Sequence, residues 1–327
     1  GNVLYDWQPE EATKVWQVSE AIDPAFAIVH RNLATAYMHQ KSGADLDKAI
    51  AELEKAVGCQ RQYPIHFTEL DELYEQAGTK LEKRDALFSR NAALVAQRDD
   101  AENRAIAVKV ALGDYDDAIR MMTGRPFAVA EGVNLNVDEH WTVAHLLRGQ
   151  KSLAAEHYEQ ALADFKAALA IPANLPLGLA GAAGLHNAEA AYWTGLAYEG
   201  LGDRDKAKAS WEKAAAAVPM RRHRRASASF DLARGAEQYY QGLAMRKLGK
   251  TEEATAVFKG LVAAGQQALN GQKPPRTQLA MAHYVTGLGY LGLNDQAGAK
   301  TELNQAVETD PGLAEARVAL MTTGKRS

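Results

Sequence analysis

The chain has 327 residues, 47% of them apolar and 24% charged, with a formal charge of −4. That balance excludes a disordered or collagen-like chain, leaves no basic surplus for a nucleic-acid binder, and allows a large buried core. The single cysteine, Cys59, excludes an intramolecular disulfide framework and a cysteine-based zinc site, and it suits a reducing, cytoplasmic setting.

One pattern of spacing recurs from end to end: a small residue, Ala twelve positions later, a bulky residue four further on, a small or apolar one three after that, and often Pro five later. In residues 1–24, Ala12, Trp16, Ser19 and Pro24 form the second half of such a unit, whose first half would lie before Gly1. This partial unit predicts a fragment of a longer chain, with apolar surface around Trp7 and Trp16 open to self-association. Residues 25–123 hold looser copies. Leu33, Ala34 and Tyr37 lead into Ala49, Leu53 and Ala56; Glu69 to Ala96 fits only in outline; Leu112, Gly113, Asp114, Tyr115 and Ala118 give another helix-turn-helix. Residues 138–311 carry four clear copies: Gly149, Ala161, Phe165, Ala168 with Pro172; Gly195, Ala207, Trp211, Ala214, Pro219; Gly242, Ala254, Phe258, Leu261; and Gly287, Ala299, Leu303, Ala306, Pro311. Residues 312–327 predict a capping helix and a tail.

Each copy reads as two antiparallel helices. Apolar and small residues recur at helical spacing over Ala188 to Gly202, Gly202 supplies a left-handed stop, and Asp203 caps the next helix. A glycine inside a helix costs about 1 kcal/mol against alanine, so its recurrence at Gly149, Gly195, Gly242 and Gly287 points to close helix packing, with Phe165, Trp211, Phe258 and Leu303 expected to fill the space between neighbouring units. Such pairs bury their apolar faces only by stacking. The longest uncharged apolar run, Ile171 to Gly184, is broken by two prolines and is shorter than the roughly 20 residues of a membrane helix.

These residues resemble the tetratricopeptide repeat family along nearly the whole chain, most clearly over Ala188 to Pro219 and His283 to Pro311. The resemblance implies an all-α, right-handed α-α superhelix, here a single solenoid over residues 1–327. The intervals between Ala161, Ala207, Ala254 and Ala299 are 45 to 47 residues, so loops of about ten residues lengthen the ideal 34-residue repeat. Tyr158 to Phe165, Asn174 to Pro176 and Tyr192 to Ala197 also look like the C-terminal repeat region of large bacterial proteins of unknown function, in which a β-rich, mutarotase-like region precedes the repeats.

The resemblance places the inner face on the first helix of each unit. Leu146, Tyr192, Tyr239 and Tyr284 share one inner position, Gln150, Leu196, Leu243 and Leu288 the position after the small slot, and Glu199 and Arg246 lie one turn further on. Tyrosine offers area and a hydroxyl at low entropic cost, which suits a binding groove, although the same rings would also serve as packing between units. The Lys and Asn of chaperone-binding members are missing: the inner pairs read Arg31 and Thr35, Leu146 and Gln150, Tyr192 and Leu196, Tyr239 and Leu243, Tyr284 and Leu288. Arg221, Arg222, Arg224 and Arg225 form a candidate anion-binding loop, with a solvated interhelix loop as the plainer reading. His140 and His145, five apart, face different sides of a helix and complete no metal set, while Glu139 beside His140 and His186 before Asn187 are placed near the groove mouth. No phosphate-binding glycine loop, zinc-protease histidine pair or nucleophile elbow occurs. The expectation is therefore a non-enzymatic scaffold without metal or cofactor, binding a protein or peptide, or docking a preceding region of its own polypeptide, and neither nucleic acid nor membrane. The alternative is the helical part of a larger carbohydrate-active or sugar-binding protein.

Overall fold

The computed structural model describes residues 1–59, 63–128, 135–176, 186–217, 228–270 and 274–323. Among the described residues lie eighteen α-helices and no strand. The chain divides into two compact units, residues 1–105 and 106–327.

The first unit holds α1 (Asn2–Tyr5), α2 (Pro9–Ile22), α3 (Ala27–Met38), α4 (Leu46–Gly58), α5 (Pro64–Gln76), α6 (Leu81–Ser89), α7 (Ala92–Val95) and the start of α8 (Asp99–Leu112). Ala12, Trp16 and Leu33 join α2 to α3, and Ala34, Ala49 and Leu53 join α3 to α4. The expected exposure of Trp16 is corrected: it is only 5% exposed. The short α1 covers it, with the Tyr5 ring 5.3 Å away and Asn2 Oδ1 accepting from the indole N–H at 3.1 Å. Trp7 is 85% exposed, and Val3, Val18 and Ile22 are exposed as well.

The indistinct stretch from Glu69 to Ala96 has a physical cause. Where other pairs pack alanine and rings, Asp71 on α5 is fully buried and accepts from Arg84 on α6 at 2.7 and 2.8 Å and from Arg104 on α8 at 2.6 Å. Arg104 also donates to Glu75 at 2.9 Å. A charge network carries no hydrophobic period, so the repeat pattern fades while the helices persist.

The second unit continues with α9 (Tyr115–Thr123), α10 (Val137–Ala154), α11 (Tyr158–Ala168), α12 (Asn187–Gly200), α13 (Arg204–Ala215), α14 (Ala228–Lys247), α15 (Thr251–Leu269), α16 (Arg276–Gly292), α17 (Gln296–Thr309) and α18 (Ala314–Thr322). From α9 to α18 the packing runs in sequence order, α10 on α11, α11 on α12 and so on. Successive first helices also touch, α10 with α12, α12 with α14 and α14 with α16, and α18 reaches back to α10.

The recurrent glycines explain the close pairing. A Cβ placed on Gly149 would lie 2.5 Å from the Phe165 ring, on Gly242 2.6 Å from Phe258, and on Gly287 2.7 Å from Leu303; Gly195 meets Trp211 in the same way. The bulky residue therefore rests first on the glycine of its own pair, rather than filling only the space between neighbours as the spacing suggested. Phe258 does both, because Gly292 of the following pair also lies against its ring. The turns follow a second rule. Gly113, Gly202 and Gly249 have φ of 87°, 79° and 80°, and Glu156 and Asn294, at 61° and 62°, take the same left-handed stop without glycine. Asp203 and Asp295 then cap α13 and α17 through the backbone N–H groups of Lys206 and Gly298.

A link invisible to the hydrophobic pattern also recurs. His145 Nδ1 lies 2.7 Å from Asp164, and His283 Nδ1 lies 2.7 Å from Glu302. Each histidine precedes its glycine slot by four residues, and each acid follows the opposing alanine by three. In the first unit, His30 and Glu52 make the same 2.7 Å contact.

Replacing Gly242 with Leu should overpack the Phe258 seat and cost about 1–3 kcal/mol. Gly260→Ala, on the open face of α15 where an added methyl meets nothing within 4 Å, should stabilise by about 1 kcal/mol. Urea unfolding of both variants reads the difference, and equal effects would show that the seat is not tight. In the first unit, Asp71→Asn should cost roughly 3–5 kcal/mol, because it leaves two arginines short of their buried partner; an unchanged melting temperature would deny the network that role.

Candidate functional site

The residues expected to line one groove fall into different environments. Leu146 is buried among Phe165, Ala190 and Ala197. Tyr192 packs on α14, with the Tyr240 ring 6.0 Å away. Tyr284 and Leu288 are buried with Leu303, Ala306 and Ala316. Leu196 and Leu243 are half-buried where α12, α13 and α14 meet. Tyr239 is half-buried between the rings of Tyr240 at 5.2 Å and Phe258 at 5.8 Å. Arg246 lies 4.8 Å over the Phe258 ring and donates to the Gly292 carbonyl, while the exposed Glu199 pairs with Lys247 at 2.7 Å. Gln150 donates to Glu189 at 3.3 Å. The arginine loop of Arg221, Arg222, Arg224 and Arg225 lies outside the described residues.

The second unit instead gathers a group of carboxylates that the sequence scattered. Glu139 is in the first turn of α10, Glu189 in that of α12 and Glu315 in that of α18, where acidic side chains complement the helix dipole. His186, the N-cap residue of α12, bridges two of them: its Nδ1 is 2.9 Å from Glu189 and its Nε2 2.9 Å from Glu139. Because the His186 side chain caps nothing, the first amides of α12 need another acceptor. Glu237 on α14 provides it, accepting from the N–H of Ala188 and, at 3.2 Å, from that of Glu189. The first helix of one repeat is thus capped by the first helix of the next repeat, both within the second unit.

The charges settle unequally. Burial opposes a proton on His186, but the facing Glu139 and Glu189 carboxylates outweigh it and hold the imidazole protonated well above its ordinary range. Burial alone dominates at His140, which is pushed down to about 4 and stays neutral. Glu237 is pushed up to about 7 by burial, against its two backbone amides. Glu315 is also pushed up to about 7, first by burial, with His186 opposing and Glu139 and Glu189 adding to the rise. Burial and the neighbouring Glu189 raise the Tyr240 hydroxyl.

Another acidic group, in the first unit, already holds its own cation. Glu20, His30 and Glu52 bring three potential ligand atoms within 4.8 Å of one another. Lys55 Nζ lies 2.8 Å from both carboxylates, and His30 Nε2 lies 2.8 Å from the Pro24 carbonyl. That geometry describes a salt-bridge network in which one lysine bridges the two carboxylates.

Comparison with known proteins follows the same helices. Residues 189–219 and 238–264 match a tetratricopeptide repeat family. Within these two segments the chain carries the tetratricopeptide repeat pattern. The matched segments cover α12 with α13 and the adjoining parts of α14 and α15; Glu189 opens the first, and Glu237 immediately precedes the second. No curated protein matches the sequence. Among solved structures, the Cut9–Hcn1 hetero-tetramer of APC/C is 14% identical, covering 96% of this chain and 52% of that one, with a TM-score of 0.39. The TPR domain of P58(IPK) is 16% identical over 99% and 97% of the two chains, with a TM-score of 0.27. The C-terminal part of a TPR repeat-containing protein from Cytophaga hutchinsonii is 14% identical over 98% and 97%, with a TM-score of 0.26. This chain therefore spans about half the length of the first of these. Among the described residues, no helix is long and apolar enough to cross a membrane.

The repeat array should respond to pH in a defined sense. Glu237 and Glu315 titrate near 7 in the folded unit, above their ordinary 4.5. Their contribution to stability is complete below about 4.5 and is lost as pH rises through about 7. His186, also raised, contributes fully below its ordinary 6.5 and loses that contribution as pH rises through its higher folded value. Melting temperature should therefore fall between about pH 5 and 8, and the fall should be shallower in Glu237→Gln. Thermal melts across that range check this, and a rising profile would contradict it.

Proposed function

We propose that this chain is a non-enzymatic interaction scaffold whose inner surface in the second unit binds a peptide segment bearing basic side chains. The segment belongs either to a separate protein or to another region of the same polypeptide, a β-rich region preceding the repeats among them. The convergence of Glu139, Glu189, Glu237 and Glu315 around one histidine carries this reading. An ammonium or guanidinium group entering there meets several carboxylates, and guanidinium matches their geometry in particular. The half-buried Tyr239 and Gln150 offer apolar area and an amide beside the first helices.

Binding suits the group better than catalysis. His186 has both ring nitrogens engaged by carboxylates, so it has no free nitrogen with which to take a proton from a substrate. Glu237 spends its two oxygens on backbone amides. A cytoplasmic setting fits the free, buried Cys59 thiol.

Titration with lysine- and arginine-containing peptides tests the reading. Tyr239→Ala should weaken a bound peptide at least about thirtyfold, from the 2 kcal/mol or more that a buried aromatic anchor contributes. Tyr239→Phe, which keeps the ring contacts with Tyr240 and Phe258, should bind nearly as well as the parent chain. Unchanged affinity in Tyr239→Ala would remove Tyr239 from the site, and tight binding of an acidic peptide that is lost in Arg222→Ala would move the site to the arginine loop.

A further inference from the structure

The helix that reaches back to α10 is the place to ask what the inner surface accepts. α18 bridges the two ends of the second unit. Ala314 and Val318 belong to the apolar cluster of Tyr115, Val137 and Trp141, at the start of the unit. Ala316, Ala319 and Leu320 belong to the cluster of Tyr284, Leu288 and Leu303, at its end. Ala316 is fully buried, whereas Met321 on the same helix is 73% exposed.

Two features distinguish this seat from the others in the unit. The second helices α11, α13 and α15 are each fixed by a ring resting on a glycine, but α18 brings no ring: Ala314, Ala316 and Ala319, with the partly buried Val318 and Leu320, hold it, and these bury less apolar area than a Phe or Trp. Its charge is also mismatched. Glu315 brings another carboxyl towards Glu139 and Glu189, with His186 the cation facing it. Tyr284 on α16, Tyr115 on α9 and Arg317 on α18 itself complete its charged and titratable surroundings. A helix with the same alanine face and a basic residue in place of Glu315 would fit these carboxylates better than α18 does.

We propose that the seat of α18 is the helix-binding surface of the second unit, that α18 fills it as a resident pseudo-ligand, and that the partner it fits is an alanine-faced amphipathic helix carrying a basic residue where α18 carries Glu315. The proposal rests on the reading of the inner surface as a site for basic peptides, and it adds the partner's helical form and its competition with α18. Binding in trans is then weakened by the fraction of molecules in which α18 is seated.

The experiment uses the full chain and two fluorescent peptides spanning residues 312–323, one unmodified and one carrying Glu315→Lys. Ala316→Arg in the full chain, which cannot keep a fully buried methyl position, should bind the Glu315→Lys peptide at least about tenfold more tightly than the parent chain, the gain expected when a seat more than nine-tenths occupied is emptied. The unmodified peptide should bind more weakly than the Glu315→Lys peptide. Glu315→Lys placed in the chain itself should lower affinity below the parent, because the resident helix then carries the favoured charge. Equal binding by parent and Ala316→Arg would overturn the role of α18 while leaving a basic-peptide site intact. Failure of the Glu315→Lys peptide to bind a folded Ala316→Arg chain would overturn the proposal, and if unrelated basic peptides fail as well, the underlying reading falls with it. Should Ala316→Arg not fold, hydrogen exchange on the parent chain decides. Amides of Arg317 to Leu320 exchanging faster than those of Leu303 to Ala306, and slowed by Glu315→Lys, support the proposal; equal protection overturns it.

Discussion

The second unit depends on one steric arrangement: a large side chain from the second helix of a pair resting where the first helix has no side chain. Phe165 on Gly149, Trp211 on Gly195, Phe258 on Gly242 and Leu303 on Gly287 are the same contact made four times. Each glycine gives up about 1 kcal/mol of helix propensity, and the buried ring or leucine offsets it with a few kcal/mol of apolar burial. The contact also sets how closely the two helices lie, and so where the first helix presents its remaining faces. Residues that turn inward on α10, α12 and α14 do so because these seats fix the rotation of each helix about its axis.

That fixed rotation explains the charged interior. Packing places the starts of α10, α12 and α18 near one another, and helix starts favour acidic side chains and leave amides without acceptors. Glu139, Glu189 and Glu315 follow from the first preference, and Glu237 satisfies the second by reaching from α14 to the amides of α12. His186 then supplies the positive charge that lets Glu139 and Glu189 approach each other. The group is a consequence of helix ends meeting, with four carboxylates gathered around one histidine.

The same logic accounts for what happened to the tyrosines. Tyr192, Tyr239 and Tyr284 do share one register position, but successive first helices lie close enough that Tyr192 and Tyr284 are absorbed into packing, leaving Tyr239 half-exposed. A register position identifies which face of a helix a residue occupies, not whether a neighbouring helix covers that face. In the first unit the opposite problem arises: Asp71, Arg84 and Arg104 form a buried network that leaves no apolar period to read, so the helices there were visible only in outline.

The sequence by itself determined the helix pairs, the small slots at Gly149, Gly195, Gly242 and Gly287, the left-handed stop at Gly202 and the aspartate cap at Asp203, because each of these recurs at a constant separation along the chain, while the seating of each bulky residue on the glycine of its own pair came from the structure. Only the tertiary structure decided the rest. The histidine–carboxylate links need two helices in register, the cap on α12 comes from Glu237 some fifty residues away, and α18 meets α10 across the whole unit. Constant spacing encodes interactions within a repeat. A meeting of distant helix ends depends on small rotations summed over several repeats, and no local pattern of residues records that sum.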